Sequence, residues 1–347
     1  MILFNTFAKL RSCTNPHAKL RSQTAAKSAS LGVSAMFAAL MAPMLHAQAY
    51  PTKPILVVST ASPGSSGDAG LRMMAVKMTE SMGQSVIIEM RTAARGAQAY
   101  AIVSKAAPDG HTVTFGTAGT FVYGRFLFKN MVFDILKDYA PISMSMNSPG
   151  YVAIHKSRGI NTMKELIDYA KKNPGKLEYG STGSGSFFHL AGESLKNAGG
   201  IDFLHIPYAQ ANFPQLQTDW LNGRIAMWYT TWATVAANLD KVNLLAIIDR
   251  QRSRHTPNVP LVTDALPNME PFVVWWGFFG PLGLPSPIAT RIAAESKKAM
   301  LHPEVTPKLS DLGMEVVGST PEELAKLLRD DINAIGKVVK AIGLQPE

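Results

Sequence analysis

The stretch Pro54-Ile-Leu-Val-Val-Ser-Thr-Ala-Ser-Pro-Gly-Ser-Ser-Gly-Asp68 passes from an unbroken apolar run into a turn built of glycine and hydroxyls. Its first five residues read as a buried strand. Leu71, Met74, Met78 and Met82 then recur at spacings of three and four, which marks the inner face of a helix beginning near Asp68 and stopped by Gly83. Ser85–Glu89 is the next strand, followed by a helix over 96–106 and a Pro108-Asp109-Gly110 turn. The strand His111–Phe115 runs into the loop Gly116-Thr-Ala-Gly-Thr120. Strand, loop and helix in this repeated order predict an α/β fold with a largely parallel sheet.

The pattern restarts beyond residue 150. Tyr151–Ile154 reads as a strand, and Thr162 with Glu165 reads as a capping box at a helix start. Leu177–Tyr179 leads into a second small-residue loop, Gly180-Ser-Thr-Gly-Ser-Gly-Ser186, and a helix carrying Leu190 and Leu195. Strands at Phe203–Ile206, Ile225–Tyr229 and Leu244–Ile248 surround a helix at 212–222. Pro287–Met300 is helical, and Thr320-Pro-Glu-Glu323 starts the last helix with a capping residue, a proline and a capping glutamate. Two such units predict two lobes, each a mostly parallel sheet flanked by helices. Ile142–Ile154 and Phe272–Phe279 are the expected crossing strands, so residues 50–148 and 273–347 form one lobe and 149–272 a second, inserted lobe.

The chain has 347 residues, enough for two lobes with their own cores, and 46% of them are apolar. The net charge of +9 is misleading as a sign of nucleic-acid binding. Lys9, Arg11, Lys19, Arg21 and Lys27 lie within residues 1–49, which hold no acid, and setting them aside leaves +4 spread without a basic run. That mild excess suits small anions and not nucleic acid. The same residues 1–49 read as a signal peptide: a basic start, an apolar segment over Ser30–Leu45, and Ala47-Gln48-Ala49 as the cleavage site. The only cysteine, Cys13, lies inside that leader. A mature chain beginning at Tyr50 therefore has no thiol for catalysis, disulfide or metal. The expected product is a free periplasmic protein.

Three loops share one design: Ser62–Asp68, Gly116–Thr120 and Gly180–Ser186 each follow a strand, mix glycine with hydroxyls and feed a helix. Glycine lets the backbone approach a guest, free N–H groups at a helix start attract an anion, and hydroxyls add donors. In open α/β sheets the carboxyl ends of the strands form the ligand crevice. The candidate contacts are Ser62, Gly64, Ser65, Ser66 and Asp68 from the first loop, and Thr117, Gly119 and Thr120 from the second. Ser181, Thr182, Gly185 and Ser186 come from the third, with Tyr208 and Tyr229 beside them. A Ser/Thr/Gly run before a helix is ordinarily only a cap, so a single loop decides nothing; three after successive strands point to a cleft for a carboxylate. Asp68 reads more as a cap for its own helix than as a ligand contact. His189 and Glu193 stand four apart but lack a third ligand, so no metal and no cofactor is expected. Nucleophile-elbow, phosphate-loop and HExxH motifs are missing, which argues against an enzyme.

The chain resembles, nearly end to end, the Bug family of solute receptors that serve tripartite tricarboxylate transporters. The resemblance is carried by Tyr50-Pro-Thr-Lys-Pro54, Ala106-Ala-Pro-Asp-Gly110, the Gly116–Thr120 loop and Leu136-Lys-Asp-Tyr-Ala-Pro-Ile-Ser143. It continues through Tyr179–Ser186 with His189-Leu-Ala-Gly-Glu193, through His205-Ile-Pro-Tyr208, and through Trp276-Gly-Phe-Phe-Gly-Pro281. It implies a two-lobed periplasmic-binding-protein fold of type II, a carboxylate held by backbone amides and hydroxyls, permease subunits in the membrane as partners, no catalysis, and a monomer. The matching positions are Pro63, Gly64, Ser66 and Asp68, then Thr117 and Thr120, then Ser181, Thr182, Gly185 and Ser186. The chain departs from the family where Ala61 and Ser65 replace an aromatic residue and a paired glycine, and where Ala226 and Tyr229 replace acids. Those departures, with Trp228 and Tyr229, favour a bulkier or aromatic acid over an amino acid. The alternatives are a periplasmic hydrolase or isomerase using the same cleft, and a ligand sensor for a signalling partner.

Overall fold

A computed structural model describes residues 50–345, apart from 62, 93–95, 128, 130, 132, 184–185 and 209–211, and the side chain of residue 97. The expected signal peptide, Ser62 and Gly185 therefore lie outside the described residues.

Two sheets organise the chain. The first has six strands in the order β11-β4-β10-β3-β1-β2, where β1 is Ile55–Ser59, β2 Val86–Met90, β3 Thr112–Thr117, β4 Tyr139–Ser148, β10 Val274–Pro281 and β11 Glu315–Val316. The second has five in the order β7-β6-β8-β5-β9, with β5 at Gly150–His155, β6 at Glu178–Ser181, β7 at Leu204–Pro207, β8 at Met227–Thr231 and β9 at Val242–Ile248. Both sheets are mixed, with a parallel part and an antiparallel part. In the first, β1 pairs parallel with β2 and β3, while β10 pairs antiparallel with β3 and β4. In the second, β6 pairs parallel with β7 and β8, while β5 is antiparallel to β8 and β9. The expected α/β architecture is observed, with a parallel core in each sheet and antiparallel pairing at the crossing strands β10 and β5. A chain that enters a sheet from the other one arrives at the opposite end and must run against its neighbours.

The predicted crossing run Ile142–Ile154 divides into β4 and β5 at Pro149, which has no N–H to continue a ladder. The helix Ser66–Met82 buries Leu71, Met74, Met78 and Met82, as the spacing requires, against β1, β3 and the helix Ser286–Met300. Each fully buried side chain of this size contributes roughly 1.5–3 kcal/mol. Gly83 ends the helix in the left-handed region at φ 69°. At Thr320 the capping box forms in both directions. At Thr162 only half of it does: the hydroxyl accepts from Glu165 N–H, but the glutamate reaches past the cap to the N–H of Asn161 at 2.7 Å.

Candidate functional site

The first loop folds on its own acid. The Asp68 carboxylate is buried, accepts the Gly64 N–H at 2.9 Å and pairs with Arg72 Nε at 2.9 Å. Gly64 takes φ 77°, a conformation glycine adopts without strain, and Ser65 caps the helix by accepting from Asp68 N–H at 3.3 Å. One carboxylate oxygen is hydrogen-bonded to the loop and the other is ion-paired with Arg72 without a hydrogen bond among the described residues, so Asp68 shapes the loop with part of its charge offset. At Gly67 the backbone lies against an indole: an added Cβ would stand 2.3 Å from Trp276 Nε1.

The second loop begins inside β3, because Gly116 and Thr117 continue the strand, and then turns directly into a π-helical turn over Gly119–Tyr123. Such turns recur at functional sites. Thr117 Oγ1 accepts the Thr120 N–H at 3.4 Å. Trp276 pairs in register with Thr117 while its ring lies on Gly67, so one residue of β10 ties the first two loops together. Tyr100 makes a second tie. Its hydroxyl donates to Thr60 at 3.1 Å and meets Thr120, and burial pushes it up to about 12.

The third loop leaves the carboxyl end of β6 in the other sheet. Ser181 is fully buried; its hydroxyl accepts the Gly183 N–H at 3.1 Å, lies 3.0 Å from Gly183 O and 2.7 Å from His205 Nε2. Gly183 has φ 109°, and Tyr208 N–H donates to Ser181 O at 2.9 Å. Ser186 caps the helix Phe187–Gly199, accepting from His189 N–H at 3.3 Å. Thr182 is half-buried beside it. Tyr208 hands its hydroxyl to Asp219 at 2.9 Å. Tyr229 and Trp228 are fully buried, and neither Tyr229 Oη nor Trp228 Nε1 has a hydrogen-bond partner among the described residues. Trp228 packs against Phe188, Phe213 and Trp220, and Tyr229 stands edge-on to Tyr179. In this structure both are packing residues of the second sheet.

The loops of the two sheets approach one another through aromatic side chains at their exits. Tyr123, the last residue of the π-helical turn, lies 5.8 Å from the ring of Phe187, the first residue after Ser186. Phe272 touches both rings, at 6.1 Å from each, and Tyr123 Oη donates to Val273 O at 3.0 Å. Trp276, Tyr100, Tyr123, Phe187 and His205 are aromatic residues outside the glycine- and hydroxyl-bearing runs of the sequence. The signal available for them is their place one strand end or one helix start from a candidate loop.

Electrostatically the site relies on neutral groups. Burial, then His189, hold His205 down at about 4; Glu193 pulls the other way, and Lys196 adds a smaller lowering effect. Glu193, four places from His189 on the same helix, accepts the Tyr179 hydroxyl at 2.7 Å and pairs with Lys196 at 3.2 Å. Among the described residues no cluster of three or more His, Cys, Asp or Glu could hold a metal ion, and no helix is long and apolar enough to cross a membrane.

Residues 71–344 match the family described as "Tripartite tricarboxylate transporter family receptor". A UPF0065 protein from the tcbD-tcbE intergenic region of Pseudomonas sp. (strain P51) is 30% identical over 84% of this chain and 87% of its own length. A solved R. palustris protein with adipate superposes with a TM-score of 0.72 at 26% identity, covering 86% of this chain and all of the other. MatC from Rhodopseudomonas palustris, with bound malate, superposes with a TM-score of 0.68 at 27% identity, covering 84% of this chain and 100% of the other.

Proposed function

The chain belongs to the tripartite tricarboxylate transporter receptor family, whose members are non-enzymatic solute-binding receptors, and on that footing we propose that it captures an organic carboxylate between its two sheets and delivers it to a membrane permease. The observation that carries the reading is the Tyr123–Phe187 contact, in which side chains at the exits of two glycine- and hydroxyl-bearing loops from different sheets meet with ring centroids 5.8 Å apart. An anion between them meets helix-start amides from both sides, with no cationic side chain required. The relatives solved with adipate and with malate support a carboxylate guest.

Under this reading the contacts are Gly64, Ser65 and Ser66, then Thr117, Gly119 and Thr120, then Thr182 and Ser186, with Ser62 and Gly185 completing the first and third loops. Asp68, Ser181 and Tyr208 keep those loops in shape. Residues 50–148 and 273–347 act as one lobe and 149–272 as the other. The protein works as a periplasmic monomer after removal of residues 1–49. The guest has a bulkier or aromatic body: Ala61 stands where related sequences carry an aromatic residue, and Tyr123 and Phe187, with ring planes inclined by 43°, offer apolar surface beside the third loop.

The test is thermal shift against adipate, malate, citrate, aspartate, benzoate and phthalate. An acid present at a hundred times its dissociation constant adds about 2.7 kcal/mol to the folded state. Stabilisation by benzoate or phthalate supports the whole reading. Stabilisation by aspartate or citrate alone removes the aromatic preference, and no response to any acid removes the carboxylate.

A further inference from the structure

The imidazole of His205 is the least explained polar group near the site. It sits on β7, where Tyr179 and His205 are register partners, so its ring lies on the same face as Tyr179 and Ser181. Tyr179 stacks on one side at 4.9 Å and His189 at 4.3 Å, while Nε2 reaches Ser181 Oγ at 2.7 Å. Ser181 Oγ thus has three close partners: Gly183 N–H at 3.1 Å, Gly183 O at 3.0 Å and His205 Nε2. A serine hydroxyl owns one proton and two lone pairs. Gly183 N–H takes one lone pair and Gly183 O takes the proton, which leaves one lone pair facing the histidine. All three contacts are satisfied together only when the proton on the imidazole is at Nε2.

We infer that His205, as its Nε2–H tautomer, is a positioning residue that locks Ser181 and thereby sets the backbone at Gly183 and the cap at Ser186 before any ligand arrives. Ser181 bonds to both the N–H and the carbonyl of Gly183, whose φ of 109° needs holding. The same Gly183 carbonyl accepts Ser186 N–H at 3.1 Å, and Ser186 caps the helix Phe187–Gly199. The order of influence runs from His205 to Ser181, to Gly183, to Ser186. The inference rests on the carboxylate reading for its purpose, but its geometry is testable in the ligand-free protein.

Amide hydrogen exchange on the full mature chain reads the lock directly. His205→Phe keeps a flat ring between Tyr179 and His189 and removes the donor; His205→Gln keeps a donor and gives up the ring. The expected result is exchange at Gly183 and Ser186 at least tenfold faster in His205→Phe and Ser181→Ala, near wild type in His205→Gln, with little change in Tm. If His205→Phe misfolds, Ser181→Ala and His205→Gln still decide. Unchanged protection in Ser181→Ala, or faster exchange in His205→Gln equal to that of His205→Phe, overturns the lock. A proton found at Nδ1 of His205 in the nitrogen-15 spectrum at pH 7 also overturns it. Adipate titration of the same proteins is a separate arm: its failure with wild type counts against adipate as the guest and leaves the exchange result standing.

Discussion

Tyr229 makes the sharpest distinction between a contact and a packing residue. Its hydroxyl is buried without a partner among the described residues, and a buried orphan of this kind costs about 1–3 kcal/mol. Tyr229→Phe is therefore expected to raise stability by about 1 kcal/mol in chemical denaturation and to leave affinity for a stabilising acid within about twofold. A tenfold loss of affinity places that hydroxyl on the ligand instead. Gly67→Ala is the opposite kind of change, because the new methyl would stand 2.3 Å from Trp276 Nε1. Overpacking of this sort costs about 1–3 kcal/mol, and here it also pushes the first loop away from the second. His205 adds a pH signature. Its folded value of about 4 lies below the ordinary histidine value of 6.5, so its contribution to stability is complete above pH 6.5 and is lost as the pH falls through 4. The groups around it are His189, Glu193 and Lys196 on the covering helix and Tyr179 on β6. His205→Gln should flatten the fall in Tm between those two pH values. At this scale the sequence exposes the loop residues by their chemistry. It hides their division of labour, since whether a serine faces a guest or a histidine depends on a strand far along the chain.

Elements came through the sequence well wherever one periodicity rules a segment. The methionine ladder of Ser66–Met82, the cap at Thr320 and β1 follow from local spacing and capping chemistry alone. Strand direction did not, because it is set by which end of a sheet the chain enters, and no local pattern records that. The second loop is shorter than its sequence suggests for a related reason: Gly116 and Thr117 stay in the ladder because β10 pairs with them. The same crossing region carries a testable acid. Asp249, just past β9, is buried, faces Glu315 and accepts from Asn147 Nδ2 at 3.3 Å, and burial pushes its carboxyl up to about 6. A folded value above the ordinary 3.8 means stability present below pH 3.8 and lost as the pH rises through 6. Arg250, which pairs with Asp331, lies beside it. Asp249→Asn should remove that loss, so that its Tm gain over wild type appears at pH 7.5 and shrinks at pH 4. An equal gain at both values contradicts the assignment.

The whole molecule holds two mixed sheets, each carrying glycine- and hydroxyl-bearing turns at strand ends, which under the proposed function grip an anion with neutral donors. Ties between the sheets run through side chains that the sequence pattern does not rank: Tyr123 on Phe187, Asn147 on Asp249, and Arg250 on Asp331 of the last helix. A ligand shifts the spacing of the sheets only by the difference in its affinity for the two arrangements. A site made of amides and hydroxyls also predicts a shallow salt dependence. Raising ionic strength from about 0.05 to 0.5 M should weaken carboxylate binding less than about tenfold, because screening acts on exposed charges and spares short hydrogen bonds. A steeper loss in titration calorimetry would assign the grip to arginine or lysine. The most direct measurement is a crystal structure with whichever acid of the panel stabilises the protein. The account predicts a carboxylate oxygen within hydrogen-bond distance of a backbone N–H at both the first-sheet loops and the Gly183–Ser186 turn. An acid seated on one sheet alone, or held by an arginine away from those turns, contradicts it.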